Sequence, residues 1–293
     1  MKNSPVAATI LAVALCTAAP FTAHSQENVM AGRAASNGID IYYEVHGELR
    51  ADAIPVLLLH GGMGAISTDF AALLPALTSH YAVIGVEQQG HGHTAGRESP
   101  ITLPSMRADT LAVMDHLEIE KVHAIGFSMG GMLALDLGLH APERLTTLTA
   151  LSVSQNFEGM HPEIVAINRD PSDTPSPEIA AILPSEEDFA RMQAGFADNP
   201  SGPDQFQRTF AAMNAFITSG WGWSDAQLEQ ISTPTLLVVG DKDFTPVAHV
   251  ARMAALIPDA HFAAFPDTIH TTMTSRTDWI LTMVQNRIAA GME

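Results

Sequence analysis

Short apolar runs alternate with longer amphipathic stretches along most of the 293-residue chain. An alternating segment at 38–45 is typical of an edge strand, and six apolar runs have the length of buried strands, at 56–59, 81–86, 122–125, 145–153, 235–239 and 261–265. Helical periodicity fills most of the intervals, at 67–77, 105–117, 129–140, 246–256 and 274–288. Strands that alternate with helices predict an α/β fold whose mostly parallel sheet carries helices on both faces.

The interval 155–225 breaks this rhythm. It contains a proline-rich turn at 171–177 and helical stretches near 186–196 and 203–217, but no buried strand pattern. Its apolar positions follow helical stripes, which ordinarily form a core. The pattern therefore predicts a helical segment that interrupts the alternation of strands and helices.

One motif stands at the junction of a buried strand and an apolar helix. The sequence Gly126-Phe127-Ser128-Met129-Gly130 follows the run at 122–125 and opens the helical pattern at 129–140. A serine on so sharp a turn has a strained backbone, and glycines two positions away on either side let the strand and the helix approach closely. This context is that of a nucleophile elbow.

Candidate partners for this serine follow other predicted strands. The run at 54–60 ends in Gly61-Gly62-Met63-Gly64, a flexible loop whose N–H groups can face an oxyanion. The run at 235–239 leads into Gly240-Asp241-Lys242-Asp243, at the carboxyl end of a strand, where open α/β sheets place functional groups. The final predicted strand leads to His270. The chain order is thus serine, aspartate, histidine.

From about Gly38 to its end, the chain resembles the capped α/β-hydrolases, and it is similar to enol-lactonases, cofactor-free haloperoxidases and carbon–carbon bond hydrolases. The motif order is that of this family. The loop at 87–94 is similar to the family's D-x-R-G-x-G-x-S loop, with Glu87 and Gln89 in place of Asp and Arg. These two departures fall in a structural loop.

The resemblance implies an α/β-hydrolase fold with core segments at 26–154 and 226–293 and a helical cap at 155–225, inserted after the sixth strand. It also implies a serine hydrolase that needs no cofactor and no metal and acts on a small apolar ester or lactone. The implied site comprises the nucleophile Ser128, the base His270, the acid Asp243, and oxyanion donors at the backbone N–H of Met129 and of Gly62 or Met63.

A substrate pocket is expected beneath the cap. Trp221 and Trp223 are flanked by Gly220 and Gly222, which disfavour a helix interior, so these tryptophans are expected on a loop facing the pocket. The full set of expected pocket residues is Trp221, Trp223, Phe127 and Met160.

Each site assignment has a competitor. Asp241 is the alternative acid, although a turn-capping role suits it better. His60 could act as the base, but its place at a strand end before a loop favours a structural role. His91 and His93 have the spacing of a metal pair, yet no further ligand cluster accompanies them, so no zinc site is predicted.

Three other functions remain open on the same fold. A peptidase similar to proline iminopeptidases and a cofactor-free haloperoxidase would use the same serine. A ligand receptor that kept the triad without turnover is the third.

Composition and charge narrow the range of partners. The net charge is −18 and the isoelectric point is near 4.9, which disfavours nucleic acid and anionic membrane surfaces because both require basic patches. A chain of this length with 46% hydrophobic residues can bury one large core.

The N-terminus is typical of a secretory signal peptide. Lys2 precedes an apolar run at 6–19, and Ala23-His24-Ser25 offers small residues at a cleavage site. We expect cleavage after Ser25, a secreted or periplasmic mature protein, and no stable membrane association afterwards; an uncleaved anchor is the alternative. The one cysteine, Cys16, lies within the predicted leader, so the mature chain would need no disulfide.

Overall fold

The sheet has eight strands and is mostly parallel. A computed structural model describes residues 29–291, so the predicted signal peptide at 1–25 lies outside the described residues. The strands are β1 Val29–Ser36, β2 Ile39–His46, β3 Val56–Leu59, β4 Val83–Val86, β5 Val122–Phe127, β6 Leu145–Leu151, β7 Thr235–Lys242 and β8 Ala260–Ile269. Their order is β1-β2-β4-β3-β5-β6-β7-β8, with β2 antiparallel to both neighbours and every other pair parallel. The predicted α/β class and mostly parallel sheet are confirmed.

Helices cover both faces of this sheet. They are α1 Ile66–Asp69, α2 Leu73–Thr78, α3 Leu103–His116, α4 Met129–His140, α5 Pro162–Arg169, α6 Pro177–Ala180, α7 Glu186–Ala194, α8 Gln205–Ile217, α9 Asp225–Leu228, α10 Val247–Leu256 and α11 Thr277–Ala290. Helices α3, α4 and α10 contribute to one hydrophobic cluster, and α2 and α11 contribute to another. Within the described residues, no helix combines the length and apolar character that crossing a membrane requires.

The central strands owe their continuous apolar sequences to burial on both faces. Every residue of β3, β4 and β5 is buried. In β3, Leu57 and Leu59 join one cluster, whereas Val56 and Leu58 join the other, since successive side chains of a strand point to opposite faces. The sheet thereby separates two cores.

The two outer strands differ from the sequence-based prediction. β1 was not predicted, because its small and polar residues lack an alternating apolar pattern and only Ala34 is buried. β8 was predicted as a buried strand, but it lies at the edge of the sheet and leaves Phe262 37% exposed. β1 forms a strand because it pairs with β2, and the extent and position of β8 follow from its pairing with β7. Such pairing between segments is not visible in the local sequence.

The segment between β6 and β7 contains the helices α5 to α9 and forms the cap over the carboxyl ends of the strands. Its two ends meet: Asn156 and Gly222 form an antiparallel bridge, and the Gln155 side-chain amide donates to the carbonyl of Trp223 at 2.8 Å. The helical cap after the sixth strand is confirmed, and it enters and leaves the core at one place.

The cap is fastened to the loop that follows β4. The Asn199 side-chain amide donates to the carbonyl oxygens of Gly92 at 2.7 Å and Thr94 at 2.9 Å, and the Thr209 hydroxyl donates to Gly90 O at 2.8 Å. These donors are buried, so each bond satisfies a backbone carbonyl that the cap shields from water. These bonds therefore hold the cap in place over the strand ends.

The carboxylate of Glu87 orders the same loop. It accepts the backbone N–H of His93 at 2.5 Å and that of Ile66 at 3.3 Å, and it lies 3.0 Å from His93 Nδ1. This contact raises the pKa of His93 above its ordinary value. Glu87, which stands where the resembling family has aspartate, thus holds this loop in place through these contacts.

Candidate active site

The elbow between β5 and α4 holds Ser128 in a strained backbone conformation. Its φ is +52° and its ψ is −116°, a backbone conformation that residues other than glycine rarely adopt. A Cβ atom on Gly126 would lie 2.0 Å from Gly130 O, and one on Gly130 would lie 1.9 Å from Leu59 O. Both glycines are therefore required for the strand and the helix to approach so closely, as the sequence predicts.

Ser128, His270 and Asp243 come together at the carboxyl ends of the strands. Ser128 Oγ lies 3.0 Å from His270 Nε2, and His270 Nδ1 lies 2.7 Å from Asp243 Oδ1. The side chain of Asp243 is fully buried, while that of His270 is 13% exposed. A hydroxyl, an imidazole and a carboxylate in this chain can pass a proton from oxygen to nitrogen and stabilise the imidazolium that results.

The surroundings of Asp243 favour its ionised form despite its burial. Burial opposes its charge, but the neighbouring His270 and hydrogen bonds from His270, Ser152 and the Phe244 N–H hold the pKa of this carboxyl below its ordinary value. Ser152 Oγ donates to Asp243 Oδ2 at 2.5 Å and the Phe244 N–H donates to Oδ1 at 2.7 Å. Hydrogen bonds to both of its oxygens thus fix the position of the carboxylate.

Sequence reasoning missed Ser152. The sequence alone does not indicate that a serine at the end of β6 meets an acid at the end of the neighbouring strand β7. Ser152 adopts a φ of +57°, which turns the chain sharply after β6. One sequence feature could have identified Ser152. It is a small hydroxyl residue at the end of the strand before the one that leads to the predicted acid.

The competing residues have other partners. Asp241 is exposed and accepts the backbone N–H of Thr268 at 3.1 Å, in keeping with a turn-capping role. His60 is fully buried, and its Nε2 accepts the Gln88 N–H at 3.0 Å. Burial lowers the pKa of His91 to about 3, so this histidine stays neutral in the core.

The loop predicted to supply oxyanion donors lies beside Ser128. Gly62, Met63 and Met129 all line the cavity that contains the Ser128 hydroxyl. Met63 has a φ of +64°, a left-handed conformation that is unusual for a residue with a side chain. Whether Gly62 or Met63 donates, with Met129, remains a prediction.

Asp69 supports this loop, and sequence reasoning did not identify it. Its Oδ2 accepts the Gly61 N–H at 2.7 Å, and a Cβ atom on Gly64 would lie 2.0 Å from the same oxygen. The carboxylate therefore occupies the space that the absent Gly64 side chain leaves. Burial raises the pKa of Asp69, although His60 and the Gly61 N–H oppose this effect.

A cavity of about 860 Å³ extends from Ser128 to the cap. Phe127 and Met160 line it, as the sequence predicts. Its cap wall is largely apolar and flexible, a composition that accommodates apolar ligands of varied shape. The apolar cap residues on this wall are Met160, Ile164, Ile167, Leu183, Phe189, Met192, Phe210, Met213 and Ile217.

The prediction that Trp221 and Trp223 line this pocket is wrong. They are 8% and 5% exposed, belong to a core cluster, and border a separate, smaller depression. Trp221 stacks on Phe216 with 6.3 Å between ring centroids, and its indole N–H donates to Ile217 O at 2.9 Å. The loop location was correct, but the loop folds back under the cap, so its aromatic rings pack at the base of α8.

Truncation of Trp221 should therefore affect stability more than specificity. Replacing it by alanine is expected to lower the free energy of unfolding by about 3–5 kcal/mol, the usual cost of removing a buried aromatic ring, while the ranking of substrates stays the same. Phe210, which lines the cavity and is 46% exposed, is the matched aromatic control. Phe210→Ala should change the ranking with little effect on the melting temperature, and the opposite pattern would contradict this placement.

Comparisons with known proteins agree with this architecture. The family model described as the alpha/beta hydrolase fold matches residues 54–274. The chain is 28% identical over 253 residues to a putative carbamate hydrolase RutD of Agrobacterium fabrum, covering 81% of this chain and 94% of the relative. Among solved structures, an N-acyl homoserine lactone degrading enzyme aligns with a TM-score of 0.69 at 25% identity, over 87% of this chain and 99% of the other. The enol-lactonase of Burkholderia xenovorans LB400 aligns with a TM-score of 0.69 at 22% identity, over 88% and 100% of the two chains.

Proposed function

The chain belongs to the alpha/beta hydrolase fold family, and from that premise we propose that it is a serine hydrolase cleaving an apolar carboxylic ester or lactone. The observation that carries this proposal is the continuous contact from Ser128 Oγ through His270 to Asp243, at the floor of a largely apolar cavity. The relatives and solved structures are named as a putative hydrolase, a lactone degrading enzyme and an enol-lactonase, whereas the substrate class of this chain is inferred from the cavity.

The proposed reaction begins when Ser128 Oγ attacks the substrate carbonyl carbon and its proton passes to His270 Nε2. The carbonyl oxygen becomes an oxyanion, which the Met129 N–H and a second N–H from Gly62 or Met63 would stabilise by roughly 3–4 kcal/mol per donor. Collapse breaks the ester bond, and the departing alkoxide takes the proton from His270. Asp243 keeps Nδ1 protonated and stabilises the imidazolium throughout.

Water completes the cycle. It enters the space that the alcohol has left, gives a proton to His270 and attacks the acyl carbon, and Ser128 recovers its proton as the carboxylic acid forms. A lactone follows the same two steps, except that the alcohol remains attached to the acyl chain. The cavity of about 860 Å³ leaves room for this ring-opened chain.

A carbamate is the second candidate substrate. The similarity to a putative carbamate hydrolase over most of both chains favours it, and serine attack on a carbamate carbonyl uses the same groups. The apolar cap wall favours the ester or lactone, because a small polar carbamate would leave most of that wall without contact.

A turnover panel with an active-site label tests the proposal. It comprises p-nitrophenyl esters of increasing acyl length, small and macrocyclic lactones, an aryl carbamate and a prolyl peptide, followed by labelling with a fluorophosphonate and peptide mapping. We expect turnover of esters or lactones, with kcat/KM rising with acyl length, and a label on Ser128. Labelling without turnover would favour a receptor, and turnover of the peptide alone would favour a peptidase.

A further inference from the structure

The charges around the cavity bear on its substrate, provided that the proposed hydrolysis takes place there. Within residues 29–291, Arg191 is the only lysine or arginine that lines the cavity, whereas three aspartates line it: Asp69, Asp173 and Asp188. A free cation is the strongest compensation that a protein offers for the lost hydration of a substrate carboxylate. Whether Arg191 is free therefore bears directly on how well the cavity binds an anion.

Arg191 is already paired within its own helix. Its guanidinium donates to Asp188 Oδ1 at 2.5 Å, three residues earlier in α7. Asp188 also accepts the backbone N–H of Ser185 at 2.9 Å, so its position is set by the cap of the helix. Burial opposes its ionisation, but the bonds from Ser185 and Arg191 hold the pKa of Asp188 below its ordinary value. Arg191 therefore already has a carboxylate partner in its own helix.

A second carboxyl group on the cavity wall supplies no cation for a substrate anion either. Asp69 lines the cavity beside the oxyanion loop, and its hydrogen bonds come from the neutral donors Gly61 N–H and Thr68 Oγ1. Asp173 is exposed on the cap segment that also lines the cavity. With a net charge of −18, the whole chain adds a field that repels anions.

We propose that the cavity selects esters and lactones without a carboxylate, and that the Asp188–Arg191 pair sets this selection. A carboxylate entering the cavity would lose its hydration and find Arg191 already paired with Asp188. An uncharged substrate of the same shape incurs none of these costs and keeps its contact with the apolar wall.

Two matched esters test the selection in the wild-type protein. The mono-p-nitrophenyl ester of adipic acid carries a terminal carboxylate, and its methyl ester has nearly the same length without the charge. We expect kcat/KM for the anion to be about 100-fold lower, as befits an unpaired buried charge. If both esters react equally well, the selection is wrong and the proposed function stands. If neither reacts, the proposed function fails and the selection fails with it.

Variants then locate the origin of the selection. Asp188→Asn keeps an acceptor for Ser185 but frees Arg191, so the ratio of anionic to neutral kcat/KM should rise about tenfold. Glu187→Gln is the control, since Glu187 is exposed on the same helix turn, makes the same change in net charge and does not line the cavity. Its ratio should stay within about twofold of wild type; an equal rise in both variants would assign the effect to net charge and overturn the proposal.

Asp69→Asn serves as a comparison on the cavity wall. It retains an oxygen for the Gly61 N–H, and because Arg191 stays paired in this variant, the ratio of anionic to neutral kcat/KM should remain within about twofold of wild type. Circular dichroism and melting curves identify a misfolded variant; if Asp188→Asn misfolds, Asp188→Ser, which also frees Arg191, decides the result. An unchanged ratio in the folded Asp188 variant, or an equal rise in Asp69→Asn, would overturn the proposal.

Discussion

Replacing Ser128 by alanine is expected to lower kcat/KM for the best ester by about 10⁶-fold, the loss seen when a serine nucleophile is removed from such a triad. Within residues 29–291, the Ser128 hydroxyl has its side-chain hydrogen bond with His270. Alanine at this position keeps the same strained backbone, so the melting temperature should stay within a few degrees of wild type. Steady-state kinetics and a thermal melt check both statements.

A second serine offers a matched control for this result. Ser154 lines the same cavity, but its hydroxyl donates to Asn156 O at 2.8 Å and does not contact His270. Ser154→Ala should lose less than about tenfold, since no proton transfer depends on it. Full activity in Ser128→Ala, or fluorophosphonate labelling at another residue, would refute the assignment of the nucleophile.

The Asp243→Asn variant should lose about 10⁴-fold in kcat, as an aspartate-to-asparagine change in this position of a triad does. Asparagine cannot accept a hydrogen bond from both His270 Nδ1 and Ser152 Oγ. If its oxygen serves one of them, its amide group faces the other. If the amide group faces His270, the ring adopts the tautomer that cannot accept the serine proton. If it faces Ser152, the hydroxyl must turn to accept from it, and the charge that stabilises the imidazolium is still lost.

The neighbouring Asp241→Asn variant isolates this effect. It makes the same change two residues away, at an exposed carboxylate whose partner is the Thr268 N–H. We expect less than a tenfold loss, with a small decrease in melting temperature. Equal losses in the two variants would mean that the carboxylate near His270 does not orient it.

Sequence reasoning was most accurate where function restricts the local backbone. The helix predicted at 129–140 coincides with α4, Met129–His140, because a nucleophile elbow requires glycines on both sides of Ser128 and an abrupt start of the helix. Buried parallel strands were also recognisable, since burial on both faces demands several consecutive apolar residues. These features depend on interactions between close neighbours along the chain.

The features that were missed depend on distant residues. Ser152 matters because β6 and β7 are adjacent in the sheet, and Asp69 matters because α1 returns to the oxyanion loop. The burial of Trp221 arises from the path of a loop between two glycines, which sequence composition does not specify. In each case the local sequence allowed several partners, and only the tertiary arrangement selected one.

The closure of the cap at Asn156 and Gly222 has an evolutionary consequence. When an insertion leaves and rejoins a domain at adjacent points, the entropy of closing it grows only with the logarithm of its length, by about 0.6 kcal/mol for each doubling. The segment between these residues can therefore be lengthened, shortened or exchanged at little cost to the sheet. The cap wall of the cavity is thus encoded apart from the catalytic residues, and a graft with its junctions at this bridge should transfer that wall from one hydrolase to the sheet of another.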